Sequence, residues 1–231
     1  MIANGDPSPG KREGAASGAP TQGARAGARG EGLEIKPYSQ ARRLIRTGDV
    51  LLFSGVGFVS GRIKSLTDSD KSHAEIVQWN LDLLMSAGAV GAGTDYRRLS
   101  SIIAEYPVIS VYRLALGVTV SMDAVIRTAL NHQGKGYDFA DIAIIDLKTR
   151  LGLNQDLPDL PEDTDKFICS QYVSYCYRAG GVDLVEHKPD KLTTPADLED
   201  SPYLEYQFSF AADSRLGGVN DYGLSDEGER R

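Results

Sequence analysis

Two strand-like runs stand almost back to back in this chain, and they constrain its fold more than any other feature. His73-Ala74-Glu75-Ile76-Val77-Gln78 is followed at once by Leu81 to Ala87. Only Trp79 and Asn80 are left for a turn, and Asn tolerates the left-handed backbone that a two-residue hairpin demands. That turn pairs Gln78 with Leu81, Val77 with Asp82 and, further along the ladder, His73 with Ser86. Directly opposed residues lie within side-chain reach. The pattern predicts an antiparallel hairpin at the core, with His73 facing Ser86.

The remaining patterns fill in around it. Val50 to Phe53, behind the turn Thr47-Gly48-Asp49, reads as a buried strand, and Pro107 to Leu114 and Tyr203 to Phe210 alternate as strands do. Ser39 to Ile45 is a short amphipathic stretch. Helices are predicted over Thr119 to His132, Phe139 to Leu151 and Phe167 to Ala179. Ser121 and Asp123 mark the start of the first and Gly134 its end, Thr164 or Asp165 would cap the third, and Gly180-Gly181 stops it. Strands separated by helical insertions imply α+β, an antiparallel sheet packed against helices in a single domain, residues 33–211. Residues 1–32 are rich in Gly and Ala and too poor in large apolar side chains to offset their ordering entropy, so they are expected to be a disordered tail, with Arg25 and Arg29 solvated. Residues 212–231 are Gly-rich and charged, a second mobile tail.

Composition excludes more than it selects. At 231 residues there is room for one ordinary domain with tails, and 41% hydrophobic with 25% charged residues is a globular balance. A net charge of −7 argues against nucleic acid, which needs clustered Lys and Arg. No run of about 18 apolar residues spans a membrane, and no apolar leader stands near Met1, so a cytoplasmic protein is expected. No phosphate-binding glycine motif and no serine nucleophile elbow occur. Zinc spacings are absent, and Asp68-Ser69-Asp70 lacks the glycine and terminal glutamate of a calcium loop. No metal and no cofactor are expected.

What remains is thiol chemistry. Cys169 falls near the start of the third predicted helix, where the dipole and free backbone N–H groups favour thiolate. Cys176 lies two turns further on, roughly 10 Å away and too far for a disulfide, and reads as core. Of the histidines, His132 sits at a helix C-terminus, His187 in a charged surface segment, and His73 on the first hairpin strand. Residue by residue, these observations leave a Cys169–His73 pair open beside the plainer reading of a buried thiol and a structural histidine.

Five segments taken in order narrow the choice. They are Gly48-Asp49-Val50-Leu51-Leu52, Ser72-His73-Ala74-Glu75-Ile76-Val77, Gly134-Lys135-Gly136-Tyr137-Asp138-Phe139, Phe167-Ile168-Cys169-Ser170-Gln171-Tyr172-Val173, and Thr194-Pro195-Ala196-Asp197-Leu198 with Ser201-Pro202 after it. Together they resemble the circularly permuted branch of the NlpC-type papain-like hydrolases, the YiiX/YaeF-like group, over about Thr47 to Pro202.

The resemblance implies a permuted papain-like fold with Cys169 as nucleophile and His73 as base, acting on an amide bond in a peptide, including one of cell-wall type, or in a small amino-bearing substrate. The acidic loop 154–165 would attract such a cation. Lipid acyl transfer or thioesterase chemistry is the alternative within that topology, and a catalytically weak binding or structural module is the alternative outside enzymes. One position departs from the family, whose members often carry Glu on the second hairpin strand to orient the histidine. Here the expected register puts Ser86 there, uncharged, with Glu75 on the same face of the first strand as the substitute.

Overall fold

The computed structural model describes residues 34–55, 69–90, 93–137, 165–186 and 188–215. The tail 1–32, residues 216–231, the predicted helix over Phe139 to Leu151, the loop up to Thr164, Asp68 and His187 lie outside these residues. Residues 212–215, expected to open a mobile tail, instead form a turn held by Ser39, whose Oγ donates to the buried Asp213 at 2.7 Å.

In chain order the elements are β1 (Ile35–Pro37), α1 (Tyr38–Ala41), β2 (Val50–Ser54), β3 (His73–Asn80), β4 (Leu83–Val90), β5 (Gly93–Arg98) and β6 (Val108–Leu114). Then come α2 (Met122–Asn131), β7 (Gly136–Tyr137), β8 (Lys166–Phe167), α3 (Cys169–Ala179), α4 (Pro195–Glu199) and β9 (Leu204–Ala211). Seven strands form one sheet in the order β1-β9-β6-β2-β3-β4-β5, and β7 and β8 form a separate parallel pair. The α+β class holds, with one correction: β1 pairs with β9 in parallel, so the large sheet is antiparallel everywhere but at that edge.

Both faces of the sheet are covered, which explains why β2 reads as an unbroken apolar run rather than an alternation. Val50 and Leu52 join Ala74, Ile76, Ala87 and Ala89 against Val125 and Ala129 of α2 and Tyr172, Val173 and Cys176 of α3. Leu51 and Phe53 join Val77, Leu84, Ile109 and Val111 on the other face, beneath Tyr38, Leu99 and Ile102. Each large side chain buried this way contributes roughly 1.5–3 kcal/mol. Among the described residues no helix is long and apolar enough to cross a membrane.

The Gly48-Asp49 turn is a clamp. Gly48 has φ +86, a conformation costly for any residue with a Cβ. Asp49, buried, takes Arg113 Nε and Nη2 at 2.7 Å each, and Tyr177 on α3 donates to the Gly48 carbonyl. The turn thus ties β2 to β6 and to the far end of α3.

The hairpin differs from expectation in its register. Val77 pairs with Ser86 and Asn80 with Leu83, so Leu81 and Asp82 make the turn, and Leu81 takes the left-handed backbone at φ 54. Trp79 belongs to the strand because its surroundings hold it there. Its backbone N–H donates to Thr47 Oγ1, its indole N–H to the Ile45 carbonyl, and Arg42 lies over its ring. These contacts outweigh the turn preference of Asn80. The ladder has slid by an even number of residues, so every side chain keeps the face that alternation assigned it.

The third predicted helix also begins later than expected. Lys166 and Phe167 pair with Gly136 and Tyr137, and α3 starts at Cys169. Ile168, not Thr164 or Asp165, occupies the N-cap, and its N–H donates to the Gln171 side chain at 3.0 Å. The first predicted helix is shortened to Met122–Asn131, with Ser121 accepting from the Ala124 N–H as its cap.

Candidate active site

Cys169 is the first residue of α3, and the loop beneath that helix holds its first turns in place. Ser170 Oγ donates to the Thr193 carbonyl at 2.7 Å, Gln171 Nε2 to the Lys191 carbonyl at 2.6 Å, and Ser174 Oγ to Asp190 Oδ1 at 2.7 Å. Thr194 and Asp197 cap α4 reciprocally and fix the far side of the same loop. The Thr-Pro-Ala-Asp-Leu segment therefore positions the helix that carries the thiol.

His73, at the start of β3, reaches this thiol, and each shifts the other. Burial alone pushes the Cys169 thiol up. The charge of His73, its hydrogen bond and the backbone N–H groups of Ala74 and Ser170 outweigh burial and hold the thiol below its ordinary value. Burial likewise pulls the His73 imidazolium down, while the Cys169 charge and hydrogen bond, then Glu75, push it up to about 10. The imidazole packs against Phe53 and Tyr106, which also touch each other; the Tyr106 ring is nearly parallel to it at 9°, with centroids 6.2 Å apart.

His73 Nε2 lies 2.8 Å from Glu75 Oε1, which leaves Nδ1 for the thiol. Here the expected orientation is corrected. Ser86 does not face His73, because the true register sets it across from Val77, where its hydroxyl donates to Glu75 Oε2 instead. Glu75, two residues from His73 on the same face of β3, makes the contact. Its side chain is 1% exposed and also accepts from Arg97 Nη2 at 3.0 Å. Burial pushes the Glu75 carboxyl up, but the His73 hydrogen bond and charge, with Arg97 and Ser86, hold it below its usual range. Gly88 leaves room for it, since a Cβ there would stand 2.5 Å from Glu75 Cγ.

The structure thus brings Cys169, His73 and Glu75 together, with Ser86 behind them. Arg97 escaped sequence reasoning, because nothing in Gly93-Thr94-Asp95-Tyr96-Arg97-Arg98 announces a strand. Cys176 is fully buried in the core, with its thiol pushed up by burial and by Asp190. His132 caps the C-terminal end of α2, its Nδ1 2.9 Å from the Thr128 carbonyl and its ring against Phe167 and Tyr175. Among the described residues no three His, Cys, Asp or Glu converge as metal ligands.

No family model matches this sequence, and no curated protein does. A solved structure does share the fold. It is the crystal structure of the metalloprotein YiiX from Escherichia coli O157:H7, similar with a TM-score of 0.54 at 20% identity, over 70% of this chain and 96% of YiiX. At that identity the likeness speaks for the fold alone: one mixed α+β layer arrangement common to both chains.

Proposed function

We propose that this chain is a cysteine hydrolase that cleaves an amide bond, in a circularly permuted papain-like domain of the NlpC type spanning residues 33–211. The observation that carries the reading is a thiol at the first turn of a helix, paired with an imidazole whose second nitrogen is held by a buried carboxylate. That is the arrangement of an activated nucleophile, its base and an orienting group.

The reaction follows from these roles. The Cys169 thiolate attacks the carbonyl carbon, and free N–H groups at the start of α3, that of Cys169 among them, receive the oxyanion. The His73 imidazolium gives its proton to the leaving amine as the C–N bond breaks, leaving a thioester on Cys169 and a neutral His73. His73 then takes a proton from water, whose oxygen attacks the thioester and releases the acid and the thiolate. Glu75 stays ionised throughout and keeps the ring aligned. A net charge of −7 favours an amino-bearing peptide or small molecule over an acidic one.

YiiX is titled a metalloprotein. The residues described here do not fit a metal at this site, because the only third donor beside Cys169 and His73 is Glu75, already occupied by His73, Arg97 and Ser86.

The test is a panel of peptide amides with free amino groups, peptide esters and long-chain thioesters, given to wild type and Cys169→Ala. Intact-mass spectrometry would follow acyl adducts. Amide turnover with an acyl group trapped on Cys169, both absent in Cys169→Ala, is the expected result. Turnover confined to the long-chain thioesters would replace the amide reading with lipid acyl chemistry. Turnover indifferent to Cys169→Ala would end the thiol mechanism.

A further inference from the structure

We propose that Arg97 is a positioning residue of this site, its guanidinium anchoring the same Glu75 oxygen that aligns His73. The inference deepens the Cys169–His73 reading above and rests on it. Glu75 Oε1 receives both His73 Nε2, at 2.8 Å, and Arg97 Nη2, at 3.0 Å. The imidazole and the guanidinium therefore share one acceptor atom, and moving either moves the other's partner.

The sheet is built to allow this. Arg97 on β5 stands directly across from Ser86 on β4, and both side chains reach over to Glu75 on β3. Three neighbouring strands thus converge on one carboxylate. Gly88 removes the side chain that would otherwise fill the gap, where a Cβ would meet Glu75 Cγ at 2.5 Å and Cδ at 3.0 Å. Edge strands commonly carry charged residues toward solvent. Arg97 instead turns one nitrogen inward, its side chain only 24% exposed.

Charge makes the anchor consequential. Cys169, His73, Glu75 and Arg97 alternate in sign and sum to zero once the thiolate–imidazolium pair has formed. Without Arg97 the buried remainder is net negative, and burial of an uncompensated charge is relieved by taking up a proton, on Glu75 or on Cys169. Either uptake diminishes the thiolate. The other groups facing this cluster do not replace Arg97. Tyr106, over the His73 ring, is kept neutral because burial and the Glu75 charge push its hydroxyl up. Asp95 is acidic, its Oδ2 4.0 Å from Arg97 Nη1, and Ser86 carries no charge. Since Arg97 offers Glu75 a single nitrogen, a lysine ammonium can do the same work where bidentate geometry is not needed.

The experiment is iodoacetamide alkylation of Cys169 from pH 5 to 9, resolved by peptide mass mapping, in wild type, Arg97→Gln, Arg97→Met and Arg97→Lys. Thermal melts identify which variants fold, and the two charge-removing variants guard against one that does not. Arg97→Gln and Arg97→Met should slow alkylation at pH 6 about tenfold, the effect of one pK unit, and Arg97→Lys should stay within about twofold of wild type. A charge-removing variant whose profile overlies wild type overturns the proposal, and so does Arg97→Lys shifting as far as Arg97→Gln. A wild type that titrates as a free thiol is a different failure, that of the Cys169–His73 reading itself.

Discussion

Cys169 and Cys176 share one helix, one chemistry and nearly the same burial, at 1% and 0% exposed, yet their thiols move in opposite directions. At Cys176 burial acts together with the charge of Asp190, and both disfavour a negative sulfur. At Cys169 burial is opposed by a cationic imidazole and by two backbone N–H groups, that of Ala74 on β3 and that of Ser170 at the helix start. Burial therefore does not decide whether a thiol becomes a nucleophile. The neighbouring charge does, and the fold supplies it at one end of α3 only.

The most damaging change to this contrast is His73→Ala. It should slow alkylation of Cys169 at pH 6 by about a hundredfold, the lower range for loss of a positioned base, and make the two cysteines alike in peptide-resolved mass spectra. Glu75→Gln should act more mildly on rate, about tenfold, because the imidazole remains. It should also lower stability by about 2–4 kcal/mol, since it breaks a buried, charge-assisted network. The sign with pH follows from the depressed Glu75 carboxyl. Between its folded value and the ordinary 4.5 the unfolded chain binds more protons than the folded one. The stability that Glu75 contributes is therefore complete above about 4.5 and lost as the pH falls below it. Melting temperatures of wild type and Glu75→Gln should differ most at pH 5–7 and converge in acid. Cys176→Ala is the smallest expected effect. It leaves a small cavity between α3 and the sheet, costs about 1–2 kcal/mol by thermal melt, and leaves the Cys169 alkylation rate unchanged.

The elements that carry Cys169 and His73 were legible because each depends on local pattern. Alternation over His73 to Gln78 marks β3, and Gly180-Gly181 marks the end of α3. The face shared by His73 and Glu75 also follows from alternation alone. It survived the misplaced turn because the ladder slid by an even number. What was not legible depends on partners distant in sequence. The turn moved to Leu81 and Asp82 because Thr47 and Ile45 hold Trp79 in the strand. β5 went unseen because Asp95, Arg97 and Arg98 break any apolar alternation in a strand that needs only one neighbour. Arg97 was lost with it, and Ser86, expected opposite His73, stands across from Val77 and donates to Glu75 instead. Arg113, which closes on Asp49 from 64 residues away, carries no local signal at all.

The most direct measurement is the pH dependence of iodoacetamide alkylation at Cys169 and Cys176 in the same wild-type sample, resolved by mass spectrometry. A paired site predicts an inflection at Cys169 well below the free-thiol value of about 8.5, with Cys176 unmodified until the protein unfolds. An inflection at the free-thiol value, or equal reaction at the two cysteines, would contradict it.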